Sequence, residues 1–152
     1  NRPAHWGDMP KKLGYLDLMH VASWQISFKR ESIVNNNVYF DEHMGAGSGN
    51  GAEEEFRFLT DCRKNGLAIY YVPFVIADVA QTKSTWFKGY NEEFFINRGN
   101  TTRYIMGYVP AVLYAAYYSI RKRHQFDSDI SWFKAFRLIM KGIHENRLGK
   151  KK

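Results

Sequence analysis

Residues 40–59 read FDEHMGAGSGNGAEEEFRFL, so a glycine-rich segment runs directly into three consecutive carboxylates. Glycine lacks the side chain that restricts φ, and the segment therefore predicts a mobile loop rather than a helix or a strand. From Glu53 onward apolar residues recur at helical spacing, and Gly66 lies where a helix is expected to stop. We expect a helix over 52–65 and interpret the layout as an active-site loop that delivers a general base.

The carboxylates at positions 53–55 also have a purely structural explanation. Negative charge at a helix N-terminus is favoured by the helix macrodipole, by about 0.3–1 kcal/mol per group. Spacing alone does not separate this explanation from a catalytic one, and both stay open at this point.

Length and composition indicate one globular domain. The chain has 152 residues, of which 45% are apolar and 16% aromatic, and this is not the composition of a disordered segment. Asn1 stands first, no charged-then-apolar leader follows, and Cys62 is the only cysteine. We therefore expect a cytoplasmic protein without a disulfide framework. The missing initiator methionine also suggests a piece of a longer protein.

The net charge of +7 comes from the end of the chain. From Arg121 onward ten Lys and Arg residues face three Asp and Glu residues, whereas residues 1–120 hold twelve of each. Such asymmetry indicates a polyanionic partner, either nucleic acid or an anionic membrane surface. Nucleic acid is the less favoured of the two, because no DNA- or RNA-binding motif accompanies the basic residues.

The first part of the chain predicts a succession of strands and helices. Residues 24–28 alternate between apolar and polar side chains, as in a half-buried strand. Short strands are also predicted over 38–40, 67–72 and 74–79, with a short helix over 30–34. This succession indicates α/β packing with a mixed or parallel sheet.

The second part of the chain is helical in pattern. We predict one helix over 91–101 and another over 103–120, kinked near Pro110. The second helix is rich in apolar residues, but it is too short and too interrupted to span a bilayer, which needs about 20 of them.

The last predicted helix runs from Trp132 to about Glu145 and is amphipathic and cationic. We expect Asp127, Ser128 and Asp129 to cap its N-terminus. Residues 130–152 would then dock on an anionic membrane surface, or the apolar face of the helix packs on the core in the ordinary way.

A longer stretch, residues 40–73, reads FDEHMGAGSGNGAEEEFRFLTDCRKNGLAIYYVP. It resembles the C-terminal half of the catalytic domain of family 2 glycosyltransferases of the bacterial surface-polysaccharide type. In that family a Phe-Asp-Glu, a glycine-rich loop, a Glu-Asp pair opening a helix, and a Gly before a strand ending in Val-Pro recur in this order. The runs SWQISFKRESI and FFINRG extend the resemblance to about residues 20–107.

The resemblance implies a GT-A-like α/β fold and a division of the chain. Residues 1–107 would be the acceptor-side half of a glycosyltransferase domain, and residues 108–152 an aromatic and basic helical extension. It also implies an inverting transfer of a sugar from a nucleotide-sugar donor to an acceptor hydroxyl, in polysaccharide or glycolipid synthesis.

The resemblance also assigns roles to single residues. Glu55 matches the family's catalytic Asp and is the expected base, with Glu54 orienting or substituting for it. Asp41 matches the acid of the Phe-Asp-Glu on the acceptor side, although a turn or cap role is the alternative. Trp24, whose ring suits a sugar face but also a core position, and His43, beside the glycine-rich segment, are the other acceptor-binding candidates.

The family's donor site is the part that this chain does not match. The resembled enzymes hold the diphosphate with Mg²⁺ or Mn²⁺ on an Asp-x-Asp that precedes the acceptor strand. This chain has no such motif there, and Asp127 and Asp129 come too late in the order. The resemblance therefore implies a fragment that is inactive alone, because nothing stabilises the departing nucleotide. The five histidines show no metal-ligand spacing among themselves or with Cys62.

Overall fold

Helices dominate the computed structural model of this chain: 57% of the described residues are helical and 3% lie in strands. One sheet is present among those residues, and it pairs two strands of two residues each. The α/β fold of GT-A-like type that we predicted from the sequence is therefore wrong. The structure describes residues 6–45, 48, 53–76 and 89–150.

The chain divides into two compact units, Asn1–Lys83 (unit 1) and Ser84–Lys152 (unit 2). The sequence suggested a boundary after residue 107 instead. A helix that begins at Glu92 packs against two later helices, and it therefore belongs to unit 2. The assignment of residues 1–107 to an acceptor-side half domain stays a prediction.

The sheet of unit 1 is an antiparallel pair of β1 (Lys11–Lys12) and β2 (Tyr70–Tyr71). The backbone N–H of Leu13 extends the pairing by donating to the carbonyl of Ile69 at 2.9 Å. Of the strand predicted over 67–72, only the two tyrosines are in a strand.

The other strands that the sequence predicted in unit 1 are wrong within the residues that the structure describes. Residues 23–25 form a 3₁₀ turn, and residues 38–40 and 74–76 have no regular structure. Residues 77–79 lie outside the described part of the chain. A period-2 pattern fixes which side chains share a face, but a strand also needs a neighbour for its backbone hydrogen bonds.

The two helices of unit 1 agree with the sequence pattern. They are α1 (Arg30–Asn35) and α2 (Glu54–Lys64), against predictions of 30–34 and 52–65. Gly66 ends α2 with φ +79°, a conformation that favours glycine, and the Leu67 N–H then donates to the carbonyl of Cys62 at 3.0 Å. The predicted stop signal at this glycine is confirmed.

The core of unit 1 is built on α2, which packs against a 3₁₀ turn over Asp17–His20. Its buried face includes Phe56, Phe58, Leu59 and Cys62. Burial raises the pKa of the Cys62 thiol, and the nearby Asp61 carboxylate raises it further.

Aromatic rings complete that core. Phe40 stacks on Phe58 with ring centroids 4.3 Å apart and planes 3° from parallel, and Phe28 lies 5.7 Å from the same ring. Phe58 is almost fully buried, whereas Phe40 keeps 46% of its surface exposed. Phe40 therefore covers the core on one side and meets solvent on the other.

Three helices form unit 2: α3 (Glu92–Met106), α4 (Tyr108–Arg121) and α5 (Trp132–Glu145). The bounds of α5 match the predicted helix, but its cap is Ser131, whose hydroxyl accepts from the Lys134 N–H at 3.4 Å. The capping role predicted for Asp127, Ser128 and Asp129 is therefore wrong.

The predicted kink near Pro110 is also wrong. The helical conformation is interrupted at Gly107, which lies between α3 and α4 and has a non-helical φ of 87° and ψ of 177°. Pro110 lies in the first turn of α4, where a missing backbone N–H costs no intrahelical hydrogen bond.

Two glycines let α3 and α5 cross in direct backbone contact. A Cβ on Gly99 would overlap the carbonyl oxygen of Ile139, and a Cβ on Gly142 would overlap the carbonyl oxygen of Ile96. Any larger residue at either position would push the helices apart.

The apolar face of α5 lies inside unit 2. Ala135, Ile139 and Ile143 are buried there together with Phe95 and Phe126. Of the two alternatives for this helix, the structure therefore shows the ordinary packing on the core. No helix in the described part of the chain combines the length and the hydrophobicity that a bilayer crossing requires.

Candidate functional site

The candidate catalytic carboxylates lie at the N-terminus of α2. Glu53 precedes the helix in a left-handed conformation (φ 72°), so the chain turns sharply just before the first helical residue. Glu54 and Glu55 follow in the first turn, and all three residues are partly buried. The structure therefore places both predicted catalytic residues at one helix end.

Glu54 fills the space beside Gly45. Its Oε1 lies 2.9 Å from the position that a Cβ on Gly45 would occupy, and Gly45 has φ +86°. Gly45 is thus required both for its backbone conformation and for the room that it leaves to the carboxylate. The contact joins the first glycine of the sequence motif to the first residue of the helix.

Partial burial raises the pKa of the Glu54 carboxyl. The neighbouring carboxylates of Glu55 and Glu53 raise it further, while a hydrogen bond from its own backbone N–H acts in the opposite direction. A raised pKa makes the carboxylate a better proton acceptor.

Glu55 lies one residue further along the helix and is partly buried. Two of the three basic side chains of α2 are directed to Asp61: Arg57 Nε lies 2.6 Å from it and Lys64 Nζ 3.7 Å. The third, Arg63, donates to the carbonyl of Leu13 at 3.3 Å. Within the described residues Glu55 makes no ion pair, so no cation there holds its carboxylate.

Asp41 and His43 form a turn that leads into Gly45. The Asp41 Oδ1 accepts from the His43 backbone N–H at 3.0 Å and lies 3.1 Å from His43 Nδ1, and the Met44 N–H donates to the Asp41 carbonyl. Asp41 is thus the turn carboxylate that the sequence left as its alternative. It also orients an exposed imidazole two residues before the glycine that contacts Glu54.

Trp24 lies in the 3₁₀ turn over 23–25 and is partly buried. In the portion of the chain that the structure describes, its ring makes no aromatic contact or hydrogen bond with the other four candidates. The structure therefore brings Gly45 against Glu54, with Glu55 next in the helix and the turn of Asp41 and His43 shortly before Gly45, and it leaves Trp24 apart from these residues.

Two residues of this region were missed from the sequence. Phe40 directly precedes Asp41 and presents a half-exposed ring, which is a suitable face for a sugar. Gly45 makes the close contact with Glu54. Phe40 was visible in the Phe-Asp-Glu motif, whereas nothing in the sequence separates Gly45 from the other glycines of the loop.

A cavity of about 260 Å³ lies at the other end of α2, lined by Lys12, Arg63, Gly66, Leu67, Ala68 and Ile69. It contains none of the candidate site residues. The carboxylates and this cavity are therefore separate features of unit 1.

No group of three or more His, Cys, Asp and Glu side chains is placed to hold a metal ion among the residues that the structure describes. The described residues therefore do not form a binding site for the diphosphate-bound Mg²⁺ or Mn²⁺ that the resemblance implies. A metal in a longer enzyme stays a prediction, and we derive no step through it.

Comparison of the chain with protein-family models, with curated proteins and with solved structures gave no match. The argument for function therefore depends on the sequence motif and on the geometry of this site.

Proposed function

We propose that this chain supplies the acceptor side and the general base of an inverting glycosyltransferase. The enzyme would move a sugar from a nucleotide-sugar donor to an acceptor hydroxyl in polysaccharide or glycolipid synthesis. The proposal includes a donor-binding part outside residues 1–152, because the resembled family holds the diphosphate on an Asp-x-Asp ahead of the acceptor strand, where this sequence has none. The chain alone would then not catalyse transfer.

One observation carries the proposal: Glu54, in the first turn of α2, is packed against Gly45 and has a raised pKa. Burial and two neighbouring carboxylates work against ionisation of this group, although a carboxylate at a helix N-terminus is ordinarily stabilised. Such an arrangement is typical of groups that take up a proton during a reaction.

Glu55 is the base in this proposal, because it matches the catalytic position of the family motif. The acceptor O–H attacks the anomeric carbon while its proton passes to the Glu55 carboxylate. The bond between that carbon and the diphosphate breaks, and the nucleoside diphosphate leaves with the electron pair. Glu54, packed beside Gly45 in the same helical turn, would orient or substitute for Glu55, and Asp41 with Phe40 would bind the acceptor sugar.

The test replaces Glu55 by Gln in the longer protein that contains this chain. We expect kcat to fall about 10²- to 10⁴-fold, which is the usual contribution of a general base. Binding of the nucleotide-sugar, measured by calorimetry, should stay unchanged because the donor site lies elsewhere.

The matched control is Glu53→Gln, which removes the same charge from the same helix end. It should leave turnover close to that of the unchanged protein, because Glu53 precedes the helix and matches neither residue of the family's Glu-Asp pair. Unchanged turnover in Glu55→Gln would reject the base assignment. Equal losses in both variants would show that the carboxylates act only through the stability of the helix.

A further inference from the structure

A line of exposed apolar side chains runs along α4. Its members are spaced four, four and three residues apart, so they share one face of the helix. Each is between 52% and 67% exposed. We call this set the α4 stripe: Val109, Leu113, Tyr117 and Ile120.

The orientation of α4 is fixed by its opposite face. Ala111, Ala115 and Tyr118 are buried in the core of unit 2, and Tyr118 stacks on Phe126 with centroids 6.0 Å apart. Arg98 of α3 packs against the same buried face of α4, and its guanidinium lies 4.6 Å from the centroid of the Tyr118 ring. The stripe therefore faces outward because the other face is already packed.

The charges of α4 and of the residues directly after it have one sign. The sequence of α4 contains no Asp or Glu, and the helix ends at the exposed Arg121, which Lys122 and Arg123 follow. Apolar side chains next to exposed cations are the combination that a helix needs to lie in the surface of an anionic bilayer.

We propose that the α4 stripe docks unit 2 on an anionic lipid surface, with the helix in the plane of the interface. The 14 residues of α4 are too few to cross a bilayer, so the helix lies on it. A second copy of the chain fits less well, because it would bring the same positive charges together. Nucleic acid would use the cations but would leave the exposed aliphatic side chains without a function.

Docking through α4 differs from docking through the apolar face of α5, which is occupied by the core. The cations of residues 130–152 stay available to an anionic surface. The apolar contribution comes from α4, whose sequence is rich in apolar residues but too short to span a bilayer. This proposal does not depend on sugar transfer.

The experiment is co-sedimentation of the full chain with phosphatidylcholine vesicles, with and without phosphatidylglycerol. We expect binding to the anionic vesicles that weakens as salt is added. The double variant Leu113→Ser with Ile120→Ser should bind at least about tenfold more weakly, since two apolar side chains no longer enter the interface. The double variant Arg121→Gln with Arg123→Gln should lose roughly 30-fold on anionic vesicles only.

The matched control is Val75→Ser, which changes a 76% exposed aliphatic side chain in unit 1 and should leave binding unchanged. Circular dichroism checks that each variant keeps its helices, and Leu113→Gln alone replaces the first double variant if it does not. Equal binding by all variants overturns the proposal. So does a dimer in sedimentation velocity that the stripe variant abolishes without any vesicle binding, or binding to RNA with none to vesicles.

Discussion

The two units of this protein obtain their backbone hydrogen bonds in different ways. In unit 2 the three helices satisfy most of their N–H and C=O groups internally, and their side chains only have to pack. The described residues of unit 1 contain two α-helices and several stretches without regular structure, and the apolar Val72, Phe74, Val75 and Ile76 are exposed there. A segment with a strand pattern needs a neighbouring strand for its backbone hydrogen bonds, whereas a helix forms most of these bonds within itself.

The packing of the two units differs as well. In unit 2, α3 and α5 are in backbone contact at Gly99 and Gly142, where an added Cβ would overlap the facing helix. In unit 1 the ring of Phe40 covers Phe58, and Phe40 itself stays half exposed. Unit 2 should therefore be the less tolerant of small additions, and the following changes test that difference.

The largest effect is expected from Gly99→Ala or Gly142→Ala. Each adds a Cβ where a backbone carbonyl of the facing helix already lies, so α3 and α5 must separate. We expect the free energy of unfolding to fall by about 3 kcal/mol, measured by urea denaturation.

The control for these variants is Gly14→Ala in unit 1. A Cβ there would meet Asp17 Oδ2 at an ordinary 3.5 Å, so the change should stay within about 0.5 kcal/mol. If Gly99→Ala unfolded at the same urea concentration as the unchanged protein, the close crossing of α3 and α5 would be disproved.

A smaller loss is expected from Phe40→Ala in unit 1. The substitution removes a stacked ring that is only partly buried, and the free energy of unfolding should fall by about 1–2 kcal/mol. Urea unfolding followed by near-ultraviolet circular dichroism measures it. The adjacent Tyr39→Ala removes a more exposed ring and should change stability by less than about 0.5 kcal/mol; equal losses would mean that the stack contributes nothing specific.

The smallest effect concerns Glu54 and has a definite pH dependence. Because burial raises its pKa in the folded protein, ionisation at neutral pH works against folding, and stability is regained as the pH falls through that pKa. Glu54→Gln should therefore have the higher melting temperature at pH 7. The advantage should shrink as the pH falls through that pKa and should vanish below the unfolded-state value of about 4.3, where the carboxyl is protonated in both states. A difference that stays constant over this range would contradict the burial of Glu54.

The sequence was sufficient for α1, α2 and α5 and insufficient for the strands. It ended the first helix of unit 2 at residue 101, whereas α3 continues to Met106 and the break comes at Gly107. The limits of α2 and α5 followed from spacing and stop signals that lie within the helices themselves. The strand predicted over 24–28 depended on a partner that the pattern cannot name, and a 3₁₀ turn is found at its start. The cap of α5 was misplaced because several capping residues stand close together, and only the backbone geometry selects Ser131.

The same limit applies to the candidate site. The glycine-rich segment and the carboxylates were recognisable as neighbours in the chain, and the contact between Gly45 and Glu54 agrees with that. The sequence favoured Glu55 as base but gave no sign that Glu54 is the residue with the raised pKa. The raised pKa of Glu54 arises from its partial burial and from the carboxylates of Glu55 and Glu53, and burial is not contained in a linear pattern.

The position of Cys62 has a practical consequence. It is the only cysteine of the chain, and it is buried in α2 with a raised pKa. Alkylating reagents attack the thiolate, so they modify this residue only in molecules whose α2 has opened. The rate of alkylation under native conditions therefore reports the local opening of unit 1 separately, since unit 2 offers the reagent no sulfhydryl group.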